Sequence, residues 1–125
     1  MKDEEYHAQC AVITWANKEL RKYPDLQWLF AVPNGLRVSM GLAVKAKNQG
    51  LKAGVPDLFL PVPKGEYHGL FIEMKAKKGR VDPKQTKWMD ALKALGYCVF
   101  VCYGDQAAKD VLAAYLECRI MRVND

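Results

Sequence analysis

Apolar positions along this chain change period several times, and each change marks an element. Val12, Ile13, Ala16 and Leu20 recur at helical spacing, with Glu5 and Gln9 one turn apart at the polar end of the same broad face. A helix from about Asp3 to Lys22 is therefore expected, ended by Pro24. Trp28-Leu29-Phe30-Ala31-Val32 reads as a strand closed by the turn residues Pro33-Asn34-Gly35. Ser39 to Gln49 predicts a short helix capped by Ser39 and stopped by Gly50. Two further apolar runs, Asp57 to Leu60 and Leu70 to Lys75, read as strands joined through Pro61 to Gly69. Asp82 as N-cap, Pro83 at the first helical position and Gly96 as the stop delimit another helix, with Gln85, Trp88, Leu92 and Leu95 inward. Tyr97 to Tyr103 predicts a fully buried strand. Gly104 to Leu116 predicts a last helix, with Ala107, Ala108, Val111, Leu112 and Tyr115 inward. Cys118 to Val123 suits a short edge strand or an oligomer contact. Helices and strands in this order predict an α/β domain whose mixed central sheet is flanked by helices.

The strand Leu70 to Lys75 carries unusual cargo. Alternate side chains share a face, so Phe71, Glu73 and Lys75 point one way and Leu70, Ile72 and Met74 the other. Unpaired charge buried in a sheet is costly, and a lone Glu-x-Lys is ordinarily a structural ion pair on an edge strand. Here Asp57 opens the neighbouring strand, behind Pro56, which fixes the backbone, and a loop that Gly50 and Gly54 leave free to turn. Two carboxylates and a backbone carbonyl suit a hard cation such as Mg2+, which keeps waters and leaves room for a phosphate oxygen. A lysine beside them can hold an attacking water or stabilise developing negative charge. Gln85 follows one loop later, on the inward face of its helix, where it is either a site residue or a satisfied core amide.

Net charge sharpens this picture. The chain carries +5 overall, but Gly35 to Lys87 holds 11 Lys or Arg against 4 acids, or +7, and the remainder is −2. A basic excess concentrated around two acids reads as a surface that tracks phosphates. Lys77, Lys78 and Arg80 form a basic turn after Lys75, and Arg37, Lys45, Lys47 and Lys52 flank the short helix. Arg37 reads as a phosphate contact. Asn34 stands beside it at the C-terminal end of a strand, a common place for site residues in open α/β sheets, although it is also a ready turn residue. His68 in the hairpin and His7 on another face of the first helix read as surface residues.

With 125 residues, half of them apolar, residues 1–125 form one domain with a single core. Its first residues, Met1-Lys2-Asp3-Glu4-Glu5, lack the apolar stretch of a signal peptide, and no run approaches a membrane span. A soluble intracellular protein is expected. Cys10, Cys98, Cys102 and Cys118 contain no C-x-x-C pair, which argues against zinc, and Cys98 and Cys102 share a strand face as small packing residues.

Five ordered segments resemble the VRR-NUC (virus-type replication-repair nuclease) branch of the PD-(D/E)XK superfamily, in its short free-standing form typical of phage and bacteria. They are Glu5-Tyr6-His7-Ala8-Gln9, Pro33-Asn34-Gly35, Gly54-Val55-Pro56-Asp57-Leu58, Ile72-Glu73-Met74-Lys75 and Gln85. The resemblance implies the restriction-endonuclease-like fold and a metal-dependent endonuclease. It assigns Asp57, Glu73 and the Met74 carbonyl as ligands of Mg2+ or Mn2+, and Lys75 as the catalytic lysine. Gln85 becomes the glutamine that follows the core motif. Glu5 matches the first-helix acid, a further ligand directly or through water, with Glu4 the competing choice. Free-standing members look like homodimers that cut branched DNA such as four-way (Holliday) junctions in replication and repair. The expected partners are therefore branched DNA and a second copy, without a membrane or a small organic cofactor. The expected location is the cytoplasm of a bacterium or phage-infected host. A DNA-binding module without catalysis, and a general DNA or RNA nuclease, are the alternatives.

Overall fold

The computed structural model describes residues 2–33 and 40–120. Helix α1 spans Lys2–Lys18, followed by a 3-10 helix at Pro24–Trp28, strand β1 at Phe30–Ala31 and helix α2 at Met40–Asn48. Strands β2 (Leu58–Leu60) and β3 (Leu70–Lys75), helix α3 (Pro83–Ala94), strand β4 (Cys98–Tyr103) and helix α4 (Asp105–Leu116) complete the described elements. The strands lie in the order β1-β2-β3-β4. The first two pairings are antiparallel and β3–β4 is parallel, with α3 as the crossover that a parallel connection requires.

Strand alternation sorts the sheet into two faces. Leu58, Leu60, Leu70, Ile72, Met74, Cys98 and Cys102 pack with Val12 and Ala16 of α1 and with Ala108, Leu112 and Tyr115 of α4. The Tyr115 hydroxyl donates to the Val62 carbonyl at 2.6 Å, tying α4 to the β2–β3 connection. On the opposite face Phe59 stacks on Phe71 with centroids 4.1 Å apart, and Tyr97 meets both rings edge-on. Helix α3 lies against β4 and buries Met89 and Leu92.

Several expected boundaries move. Helix α1 ends at Lys18 rather than Lys22, and Leu20 is exposed, because the chain turns early enough to bury Tyr23 and Leu26. The Tyr23 hydroxyl donates to the Glu117 carboxylate beyond the end of α4. The expected strand from Trp28 to Val32 shrinks to Phe30–Ala31, since Pro24 nucleates a 3-10 helix that consumes Trp28. Leu95, expected inward, is 65% exposed, and Met89 fills the inward position instead. Strand β4 is only partly covered: Cys98 and Cys102 are buried while Tyr103 is exposed. Burial pushes the Cys98 and Cys102 thiols up to about 11 and about 12, consistent with inert packing residues. Both of them, like Cys10 and Cys118, are free cysteines.

The Ser39 cap lies outside the described residues, while Gly50 does take a left-handed φ of 95° after α2. At the other end α4 stops at Leu116, and the segment proposed as an edge strand runs past residue 120. Among the described residues no helix is long and apolar enough to cross a membrane.

Candidate active site

The start of β2, strand β3 and helices α3 and α1 each contribute a side chain to the site. Strand β2 begins at Leu58, opposite Ile72, so beyond that pair β3 runs on without a partner on the β2 side while still paired with β4. A strand residue sends its N–H and C=O to the same side, and Met74 faces the gap that β2 leaves. Its N–H donates to Asp57 Oδ2 at 2.7 Å, replacing the missing ladder bond, and its carbonyl opens toward the same gap. Asp57 is thus held by the backbone of β3. Its own carbonyl accepts from the Val32 N–H at 2.8 Å, which brings the end of β1 alongside.

Glu73 and Lys75 project from β3 almost fully buried, at 2% and 8% exposure. Lys75 Nζ lies 3.7 Å from Glu73 Oε2, and Gln85 Nε2 donates to the same oxygen at 3.0 Å. The amide of Gln85 is committed at both ends. Its Oε1 accepts from the Asp82 N–H, while Asp82 Oδ1 accepts from the Gln85 N–H, both at 3.0 Å. This capping box fixes the first turn of α3. The spacing Asp82-Pro83-Lys84-Gln85 carries the capping motif in the sequence, whereas the bond to Glu73 is a tertiary contact that this spacing does not disclose.

Packing of the preceding loop sets the other side. Gly54 adopts φ 95°, and a Cβ there would sit 2.8 Å from the Lys84 carbonyl oxygen. The loop leading into Asp57 therefore presses directly on the first turn of α3.

Helix α1 supplies the remaining acids. Glu5 lines the same cleft as Asp57, Glu73, Lys75 and Gln85, whereas Glu4 turns away and accepts from the Lys77 N–H at 2.7 Å. The neighbouring acids differ in use: Glu4 anchors the turn after β3, and Glu5 faces the cleft. Among the described residues no three His, Cys, Asp or Glu side chains converge closely enough to hold a metal by themselves. The close set is two carboxylates, with Glu5 farther out.

Electrostatics in the cluster raise both acids. Burial first, and the Asp57 charge second, push the Glu73 carboxyl up to about 8, against the pull of Lys75. Asp57 is also raised, chiefly by burial, while the Met74 N–H and a hydrogen bond with Glu73 oppose the rise. The Glu5 charge adds to both. Lys75 alone thus leaves the acids under-compensated, and an oxygen-preferring divalent ion fits two carboxylates and an open carbonyl.

The basic residues expected at a phosphate surface are exposed where they are described. Lys77, Lys78 and Arg80 are exposed on the turn after β3, Lys52 is exposed on the loop before Asp57, and Lys45 and Lys47 are exposed on α2. Asn34 and Arg37 lie outside the described residues. His68 is a surface residue packed against Gly96 and Tyr97, and His7 is exposed beside Tyr6.

A model of the VRR-NUC domain matches residues 3–106, a span that contains every site residue described above. Among solved structures, the chain is similar to one titled "VRR_NUC domain protein", at 30% identity over 91% of this chain and 88% of that one, with a TM-score of 0.78. No curated protein matches.

Proposed function

This chain belongs to the VRR-NUC family, with its restriction-endonuclease-like fold, and on that footing we propose that it is a metal-dependent endonuclease hydrolysing phosphodiester bonds in DNA. The observation that carries the proposal is the convergence of Asp57, Glu73 and Lys75 at the end of β3 that β2 leaves open, with Gln85 and Glu5 around them. Asp57, Glu73 and the Met74 carbonyl would hold Mg2+ or Mn2+, with Glu5 reaching it through water. Such an ion supplies a Lewis acid for the scissile phosphate and lowers the pKa of a bound water.

The residues of this chain do the rest. Lys75, buried beside Glu73, orients the attacking water and offers positive charge where negative charge develops. Gln85 holds one Glu73 oxygen so that the other stays turned to the site. The Met74 N–H does the same for Asp57. Lys77, Lys78, Arg80 and Lys52 would meet neighbouring phosphates, together with Lys45 and Lys47, while Asn34 and Arg37 keep the DNA-contact role that the sequence suggests for them.

Within this reading the substrate is branched DNA, as the family resemblance implies, and the active form is a homodimer. Paired cuts on symmetric strands need two sites related by a two-fold axis. Trp28 and Phe30, 55% and 48% exposed and two residues apart in the chain, would offer apolar surface to such a contact.

Cleavage of labelled linear duplex, flap and four-way junction DNA with Mg2+, Mn2+ or EDTA tests the proposal, with Asp57→Ala beside the wild type. Paired nicks in the junction, dependent on metal and on Asp57, are expected. Cutting of every substrate alike would make it a general nuclease. Binding without cutting would make it a DNA-binding module.

A further inference from the structure

The cleft that holds the acids is far larger than they require. It is an open cleft of about 970 Å3. Its polar cluster is continuous with a second, more apolar region lined by Tyr6, Cys10, Ile13, Ala31, Val32 and Pro33. The two regions share one wall. Glu5, Gln9 and Ile13 follow one another along α1 at one-turn spacing, about 6 Å of axial rise per step. Tyr6 and Cys10 run beside them. On the opposite wall the Val32 N–H bonds to the Asp57 carbonyl, so the apolar lining begins next to a proposed ligand.

Tyr6 is the unusual residue in that wall. It is 65% exposed, and its neighbour His7 meets the ring edge-on at 5.4 Å. The Cys10 thiol, one turn on, lies beside its hydroxyl and raises the hydroxyl's pKa above the ordinary value. Gln9 and Thr14 add an amide and a hydroxyl to the lining. An exposed aromatic ring, an apolar wall and a few hydrogen-bonding side chains next to a phosphate-cleaving centre match the chemistry of an unstacked nucleobase. A base still stacked in a duplex cannot enter such a cleft.

We propose that this region is a base-binding subsite, in which Tyr6 stacks against an unpaired nucleobase of the strand being cut, next to the scissile phosphate. This deepens the nuclease reading and rests on it for the position of the phosphate. It also gives a physical source for preference toward branched DNA. Bases at a branch point are already partly unstacked, so the cost of placing one in the cleft is lowest there.

The test uses flap and four-way junction DNA carrying 2-aminopurine at successive positions around the branch, bound in EDTA to the wild type, Tyr6→Phe and Tyr6→Ala. One position should change in fluorescence with the wild type and with Tyr6→Phe, and lose that response with Tyr6→Ala. Binding by Tyr6→Ala should weaken roughly tenfold. An abasic nucleotide at the responsive position should weaken wild-type binding equally, yet add little to the loss in Tyr6→Ala, because both remove one contact. If the two losses add, or if Tyr6→Ala keeps the response, the subsite is wrong even where the wild type cleaves. If the response depends on Tyr6 but no DNA is cut with Mg2+ or Mn2+, the subsite stands and the nuclease reading falls.

Discussion

Gln85 joins two problems that are usually solved by separate residues. Its amide oxygen completes the capping box of α3, and its amide nitrogen holds Glu73. Gln85→Glu keeps an acceptor for the Asp82 N–H but replaces the donor to Glu73 with another carboxylate oxygen. Cleavage should fall at least tenfold while the α3 cap survives; a Gln85→Glu enzyme of full activity would remove the contact from the mechanism. Lys75→Ala should lower cleavage by roughly 10²- to 10⁴-fold, with DNA binding retained in a gel-shift assay. Near wild-type cutting by that variant would refute the assigned role. Glu73 also carries a signature of its own. Its folded-state pKa of about 8 stands above the ordinary 4.5, so the folded chain keeps a proton that the unfolded chain releases. The stability this contributes is fully present below about 4.5 and is lost as pH rises through about 8. Melting temperature in EDTA should therefore fall across that window, and added Mg2+ should raise it most at the alkaline end, where the acids are free of protons. A flat profile in EDTA would contradict the buried, under-compensated cluster.

Elements rather than residues decide whether these groups meet, and the loop into β2 shows how. Gly50 and Gly54 share φ 95°, but only at Gly54 would a Cβ meet another atom, the Lys84 carbonyl. Alanine at either position carries the cost of a left-handed conformation, on the order of 1 kcal/mol. Gly54→Ala should add displacement of Asp57 from the start of α3, with loss of cleavage, whereas Gly50→Ala should cost stability alone. Equal activity in the two variants would show that the close approach has no bearing on the site. The same contrast explains what the sequence could disclose. Period-two alternation in Leu70 to Lys75 placed Glu73 and Lys75 on one face, and Asp82-Pro83 marked the helix start, because both signals are local. The end of α1 and the extent of β1 depend on where Tyr23 and Leu26 find cover, which is a tertiary matter. The division of labour between Glu4 and Glu5 likewise rests on a bond from Lys77, 73 residues away along the chain. The cleft beside Tyr6 needs α1 and β1 brought together, and no spacing in the sequence announces it.

At the scale of the whole molecule, charge is divided unevenly along the chain. The segment from Gly35 to Lys87 carries +7, while the rest of the chain carries −2. The first turn of α1 holds Asp3, Glu4 and Glu5, acids that favour a helix N-terminus. Glu4 spends its charge on the backbone of the basic turn, so Lys77 and Lys78 are presented by a turn that is itself anchored. Anchoring matters because a flexible cation must be ordered on binding, whereas a fixed one is already in register with the phosphates. Replacing Lys77, Lys78 and Arg80 together with alanine removes up to three phosphate contacts. The slope of log affinity against log salt changes by about 0.9 for each contact in duplex DNA, so it should flatten by up to about 3. The loss should be of similar size for linear and branched DNA, since phosphate contacts carry no information about base or branch. An unchanged slope would take this turn out of the interface and shift the phosphate path toward Lys45, Lys47 and Lys52. A loss confined to branched DNA would mean that the turn reads the branch itself.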